Sequence, residues 1–512
     1  MPPLLQRSLS PLDAFGDHLV DVFQPAYRPS PVAGETVVSE ERLVHIGIMS
    51  GKRRNPARDR RSPLFLASAG FLVAWVLLGG NMPSNLILFG ALALAGTVLV
   101  STSVIHGGLE SWKSLSMAQQ IALAFFCLMP LLQLIPLPPS LWQTLPGRAL
   151  PLATLRAMGQ ADHWQPITLA YGATLRTSLM CIWLSTFLLT IMQLSTRDVH
   201  RLFALVLLLG MLNVLIGFVQ IISGGSALIF YPSRQSMFLS GLFANKNHTG
   251  LFIAITFLAG YVMLYSREGW NRRWLGLIIP CSLLCVAALL ATFSRAGIVL
   301  GGVALLTVVL LLAGTRLKAG QIRYTALGIA LATVVFLVIL IAPTDLAVRS
   351  LTRFESVDAD LRWSIWHWSW PLVDTYFPIG SGIGTFTTIF PPAERLSWVK
   401  PTYVNHVHND YLEQLIEVGV AAPVFWLFII LALGRPLRLA WKDRKRQSGR
   451  IALASAMILF LIAAHSVVDY PLRRPAIAAV AMVALAALLR MGDPKRRLYQ
   501  PVRHARQTAN AS

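Results

Sequence analysis

The chain has 512 residues, of which 55% are hydrophobic and 13% charged, with a formal net charge of +21. Soluble domains carry about 25% charged residues, so a water-soluble globular fold is excluded. Nucleic acid is not the expected partner either: the basic residues fall in short clusters between apolar runs, which is how Lys and Arg gather in cytoplasmic loops beside anionic lipid.

Residues 1–60 are rich in Pro, Ser and charge, hold no span and lack the apolar core of a signal peptide. With the next three residues they read as a disordered cytoplasmic tail, 1–63. Met49 opens MSGKRRNPARDRRS, which has the form of a natural cytoplasmic start, so residues 1–48 are expected to be an upstream extension. From 64 to 490, apolar runs long enough for a hydrocarbon core of roughly 30 Å predict an all-α, polytopic integral membrane protein of about twelve spans. They lie near 64–80, 86–105, 121–136, 177–194, 202–222, 249–265, 275–292, 296–313, 325–342, 412–432, 450–468 and 474–490. Lys52, Arg53, Arg54, Arg58, Arg60 and Arg61 set the N-terminus inside by the positive-inside rule. The loops that then fall inside are Arg267–Arg273, Thr315–Arg323, Arg435–Arg450 and the tail 491–512, and all are basic. An even span count returns the C-terminus to the cytoplasm.

The expected outside segments are Leu137–Arg176, Ser223–His248, the turn Phe293–Arg295, the long loop 343–410 between the ninth and tenth spans, and Ser466–Arg474. Only 343–410 is large enough to fold over a cavity. Gly and Pro from Pro378 to Pro392 mark turns in it, and Leu361–Trp370 reads as a short interfacial helix. Cys127, Cys181, Cys281 and Cys285 all fall in apolar spans, where packing explains them.

Lys400–Gly419 gathers two histidines, two asparagines, an Asp and two Glu ahead of an apolar run. Such a cluster costs solvation unless it lies at an interface or lines a wet cavity. Other polar residues fall on the same side: Arg234, Asn245, Asn247, Arg295, Arg362, and His465, Asp469, Arg473 and Arg474 in HSVVDYPLRR. Arginines held outside, against the charge rule, need a reason. Structural readings stand beside the functional ones. Arg234 and Arg295 could snorkel to headgroups, Asn245 and Asn247 could start a helix, and His465 with Asp469 has the i, i+4 spacing of a structural pair.

Asp410-x-x-Glu413 has the form of a capping box, so Asp410 is expected to cap a helix starting at Tyr411. His408 then sits just outside a helix N-terminus, whose partial positive charge favours the neutral imidazole that a general base needs. His406-x-His408 could instead bind a metal with Asp410 and Glu413. No second ligand cluster accompanies them, and neither metal nor cofactor is expected. Outward arginines, a histidine base and no carboxylate dyad point to a phosphate or diphosphate leaving group held by Arg and a hydroxyl deprotonated by His. An outside site has no nucleotide supply, so the donor would be lipid-linked.

GLFANKNHTG (241–250), the SRAG turn (294–297), Arg362 with SGIGTF (381–386), HVHNDYLEQLIEVG (406–419) and HSVVDYPLRRP (465–475) resemble the O-antigen ligase and O-antigen/exopolysaccharide polymerase superfamily of bacterial envelope glycan assembly. The resemblance implies a GT-C-like domain over 64–490. It also implies inverting, metal-independent transfer of a glycan from undecaprenyl diphosphate to a hydroxyl, on the periplasmic face of the inner membrane. It makes His408 the base and Arg234 and Arg295 the diphosphate ligands, with help from Arg362. Asn245 and Asn247 would shape the start of the sixth span, with His406 and Asn409 lining the substrate site. The partners implied are the lipid-linked glycan, a glycan or lipid A-core acceptor, and membrane lipids. Val420-Ala421-Ala422 departs from the Gly-x-x-Gly that many members carry after the His-Asn stretch, which leaves ligase and polymerase both open. The alternatives are a twelve-span secondary transporter, disfavoured by the near absence of acids from the spans, and a glycan-exporting scaffold without catalysis.

Overall fold

The computed structural model describes residues 62–81, 86–231, 238–266, 269–270, 272–313, 361–396 and 403–493. The expected N-terminal tail, the ninth span near 325–342, the loop Thr315–Arg323, Arg234 and nearly all of the C-terminal tail lie outside these residues.

In hydrocarbon every backbone N–H and C=O must find an internal partner, so the apolar runs become helices. The first three are α1 (Pro63–Leu78), α2 (Leu86–Ile105) and α3 (Met117–Leu132). The segment after α3 holds α4 (Pro139–Trp142), α5 (Ala149–Ala157) and a two-residue antiparallel pair, β1 (Pro136–Leu137) with β2 (Gln165–Pro166). Next come α6 (Tyr171–Gln193), α7 (Thr196–Ile222), α8 (Lys246–Leu264), α9 (Arg272–Ala291) and α10 (Arg295–Ala313). After the undescribed stretch follow α11 (Leu361–Tyr376), α12 (Phe386–Ile389), α13 (Asp410–Val418), α14 (Ala421–Lys442), α15 (Gln447–His465) and α16 (Pro475–Leu489). Eight of these, α2, α6, α7, α8, α10, α14, α15 and, with the turn that extends it to Gly492, α16, are long and apolar enough to cross a membrane. Shorter apolar helices, α1, α3 and the 279–291 part of α9, fall at three further expected spans. The chain is a polytopic helical membrane protein.

Helix α8 is the most enclosed, packed by α7, α9, α10 and α15. It meets α10 backbone to backbone: a Cβ added at Gly250 would lie 2.8 Å from the Gly297 Cα. Small residues permit such approaches where lipid offers no hydrophobic drive for helix association. The contact joins the starts of both helices. The outward faces of α2 and α14 carry exposed Leu86, Ile87, Leu94, Leu427 and Ile430, as lipid-facing helices should.

A second core lies apart from the bundle core, built from Ile365 and Leu372 of α11, Phe386 and Phe390 around α12, and Val407, Leu412 and Ile416 around α13. It is fastened to the start of α6, where Leu169 N donates to Ser381 O at 2.9 Å and Thr174 Oγ1 to Ile383 O at 2.6 Å.

Two expectations need correcting. The Trp-rich helix does not stop at Trp370 but continues to Tyr376, and it is not wholly an interfacial belt. Trp363 and Trp370 are exposed, but Trp366 turns inward and donates Nε1–H to Val407 O at 3.0 Å. The tenth span expected at 412–432 is two helices. Helix α13 ends at Val418, Gly419 has φ +57°, and α14 starts at Ala421 and reaches Lys442. A Cβ at Gly419 would lie 2.0 Å from Pro378 O, so the chain breaks where the Pro378–Gly384 turn crosses it. The extension of α14, with the start of α15 at Gln447, makes most of the expected inside loop Arg435–Arg450 helical.

Candidate active site

The starts of α8, α10 and α16 and the end of α15 meet at one end of the bundle. The segment linking α15 to α16 carries Asp469, which is fully buried. Its Oδ2 accepts from Asn247 Nδ2 at 2.9 Å and Asn245 Nδ2 at 3.3 Å, and its Oδ1 from the Tyr470 backbone N–H at 3.1 Å. His408 Nδ1 lies 3.3 Å and His248 Nε2 3.6 Å from Oδ1; Arg362 Nη2 lies 3.7 Å and His465 Nε2 3.8 Å from Oδ2. Burial alone would push this carboxyl up, but the imidazoles of His248 and His408 outweigh it and hold Asp469 well below the usual carboxylate range. The result is a buried anion ringed by donors from four separate stretches of chain.

His408 has φ +58°, the left-handed region that residues with a side chain seldom enter. Held strain of this kind clusters at functional sites. The next residue, Asn409, caps α13, its Oδ1 accepting from Tyr411 N at 3.0 Å and Leu412 N at 3.1 Å. The cap is therefore Asn409 and not Asp410, which is the first helical residue. The capping box fails because Glu413 is used elsewhere. Its Oε1 meets His406 Nδ1 at 2.8 Å, and its Oε2 accepts from Val407 N at 2.9 Å.

Beside the Asp469 hub lies a second cluster. The Arg473 guanidinium meets Asp410 at 3.3 Å, Glu413 at 3.1 Å and Glu417 at 2.8 Å. One cation cannot neutralise three buried carboxylates. Burial pushes Asp410 and Glu417 up to about 7 against the pull of Arg473. Glu413 goes the other way, to about 2, because Arg473 and His406 overcome its burial. Burial lowers His406 to about 4, so it is neutral. Glu417 Oε1 also accepts from Gly384 N at 2.8 Å, tying the Gly-rich turn to α13. The Tyr470 ring joins the two clusters, with centroids 4.1 Å from His406, 4.8 Å from His408 and 5.1 Å from His248, and Arg474 stacks over it at 4.5 Å.

Of the residues expected from sequence, His408, Arg362, Asn245 and Asn247 surround Asp469. His406 stands one step back, held by Glu413. Asn409 uses its Oδ1 for the helix cap and is half-buried. Arg295 opens α10 beside Ser294, whose Oγ donates to Asn247 Oδ1 at 2.8 Å. Arg234 lies outside the described residues. Asp469 and Arg473 are placed on the same side by the sequence but given no site role, and His248 and Tyr470 are not singled out by it. Asp469 and His465 read as a local pair, and His248 sits inside the sequon-like Asn247-His248-Thr249. Metal-ligand spacing occurs not at His406-x-His408 but at His248, His465 and Asp469, whose ligand atoms all lie within 4.8 Å of one another.

Residues 280–427 match the family model described as O-antigen ligase, in agreement with the resemblance read from the sequence. No curated protein matches the chain. The matched stretch holds Arg295, Arg362, His406 and His408, while α8 and the segment bearing Asp469 lie outside it.

Proposed function

We propose that this protein, whose residues 280–427 carry an O-antigen ligase domain, is a GT-C-like inverting glycosyltransferase. It moves a glycan from an undecaprenyl-diphosphate donor to a hydroxyl acceptor on the periplasmic face of the bacterial inner membrane. The observation that carries this reading is His408: its side chain is 23% exposed while its Nδ1 is turned onto the fully buried Asp469 carboxylate 3.3 Å away. In this reading the 3.3 Å approach closes into a hydrogen bond, so that Asp469 holds the proton on Nδ1 and leaves Nε2 as the base. Nε2 takes the proton of the acceptor hydroxyl, and that oxygen attacks the anomeric carbon opposite the diphosphate. The carbon–oxygen bond to the diphosphate breaks, and its electron pair leaves with the phosphate oxygen. A single displacement inverts the anomeric centre. Arg295 and Arg362, with Arg234, neutralise the charge that develops on the leaving group, so the step calls for no metal.

The buried acids belong to α13 and the 466–474 segment, outside the spans, and do not make the midplane acid site of a coupled carrier. His408→Ala is expected to lower transfer by about 100-fold or more with the protein still made, since base catalysis contributes about 10²–10⁴. The check is transfer of lipid-linked glycan in isolated membranes, and output near wild type rejects the role. Glycan accumulated in a deletion strain separates the two activities: long unattached chains mean ligase, single repeat units mean polymerase.

A further inference from the structure

Two histidines of the site take no part in the displacement. His248 in the first turn of α8 and His465 at the end of α15 are both fully buried, and neither ring nitrogen of either has a hydrogen-bond partner. Burying unpartnered polar nitrogens is costly, so their place needs a reason. Each turns Nε2 toward a different oxygen of Asp469, at 3.6 Å from Oδ1 and 3.8 Å from Oδ2. Small ring rotations turn both approaches into hydrogen bonds donated to the carboxylate.

We propose that His248 and His465 are positioning residues of the base. As neutral imidazoles protonated on Nε2 they donate to the two oxygens of Asp469, keep it ionised, and hold it facing His408 Nδ1. This rests on His408 being the base. The base is then a unit of four side chains, His408, Asp469, His248 and His465, drawn from three stretches of chain. Facing the carboxylate are His248 and two amides from α8, Arg362 from α11, His408 from before α13, and His465 from α15. Arg362, at 3.7 Å, is the permanent cation of the set. The other donors are neutral, so each contributes measurably to keeping the proton off. A metal suits the geometry less well. Asn245 and Asn247 present amide N–H groups to Oδ2, and ligand atoms would have to close to about 2.0–2.2 Å from the ion.

The test is the pH dependence of kcat in purified, reconstituted protein, with donor and acceptor held above KM. His465→Leu removes the donor, and His465→Gln places an amide N–H near the same point. Without the donor the carboxylate is more basic, and it also attracts a charged His408 more strongly. The first proton therefore binds the His408–Asp469 pair more tightly wherever it resides. His465→Leu is expected to lower kcat at least ~10-fold, leave KM for the donor unchanged, and move the acid limb upward by about one pH unit. His465→Gln and His248→Gln keep the acid limb near its wild-type position. Should His465→Leu fail to accumulate, His465→Asn, whose amide is one carbon shorter, carries the same test. An unmoved acid limb in the Leu or Asn variant overturns the proposal. So does a Gln variant as impaired as Leu together with a stoichiometric metal in the wild-type protein, which would make the cluster a metal site. If His408→Ala retains activity, the base itself is wrong. If His408→Ala is inactive and the His465 variants are silent, only this proposal fails.

Discussion

At the scale of single residues, the proposed role of His408 as base turns on Asp469, whose carboxylate lies 3.3 Å from its Nδ1. In that proposal its carboxylate fixes the Nδ1 proton and stabilises the imidazolium that forms as the hydroxyl is deprotonated. Asp469→Asn keeps the size and several hydrogen bonds but loses both effects, so transfer is expected to fall by about 10²-fold or more. Groups that act as one unit are not additive, so adding His408→Ala to Asp469→Asn should cost little further. Transfer rates of the two single variants and the double check this; fully multiplicative losses would mean independent roles. The His408 end of the pair was legible in the sequence, because HVHND puts four polar residues ahead of an apolar run and few locations tolerate that. Asp469 was not. A histidine one turn earlier explains it locally, and its Asn247 partner arrives from 222 positions away. The capping residue was misplaced by one for a similar reason. Glu413 can complete a box with Asp410 only if its carboxylate is free, and His406 and Arg473 occupy it.

At the scale of elements, α13 is the short helix that follows His408, and Arg473 is what docks it. The guanidinium ties three acids of α13 to the segment bearing Asp469 and, through Glu417, to the Gly384 turn. Removing one partner of a buried ionic cluster leaves uncompensated charge, so Arg473→Met is expected to cost about 3–5 kcal/mol at pH 8. The pH dependence has a definite sign. Asp410 and Glu417 already titrate at about 7 in the folded protein, above their unfolded values, so the folded state holds the extra protons. Their contribution is present below the ordinary carboxylate range and is lost as pH rises toward about 7. Without Arg473 all three carboxylates move further up, so the variant's deficit should shrink at pH 5. Thermal unfolding in detergent at pH 5 and pH 8 checks this, and an equal deficit at both would remove the charge explanation. The separateness of α13 was not visible in the sequence. The expected span 412–432 runs across Glu413, Gln414, Glu417 and Gly419 into the apolar run that follows, and the break comes where the Pro378 carbonyl crosses at Gly419.

At the scale of the whole molecule, the site and a basic turn lie at opposite ends of α15, which runs from Gln447 to His465. Arg444, Lys445 and Arg446 precede the helix, and His465 ends it in the Asp469 cluster. By the positive-inside rule the basic end is expected in the cytoplasm, which would put the site on the outside. The membrane-crossing helices were legible in the sequence, because lipid dictates their length, whereas the meeting of α8, α11, α13 and α15 at one carboxylate depends on packing that no local pattern records. The orientation decides the donor: an inward site would face nucleotide sugars, and an outward one needs a glycan carried on lipid. In a variant with Cys127, Cys181, Cys281 and Cys285 replaced, single cysteines at Asp374 in α11 and at Lys445 in the turn before α15, both exposed, report the two sides. A membrane-impermeant maleimide on intact spheroplasts is expected to label Asp374→Cys at once and Lys445→Cys only after permeabilisation. The reverse pattern would leave His408 and Asp469 where they are and still able to act as a base. It would, however, put them on the nucleotide side, and the case for a lipid-diphosphate donor would fall with the orientation.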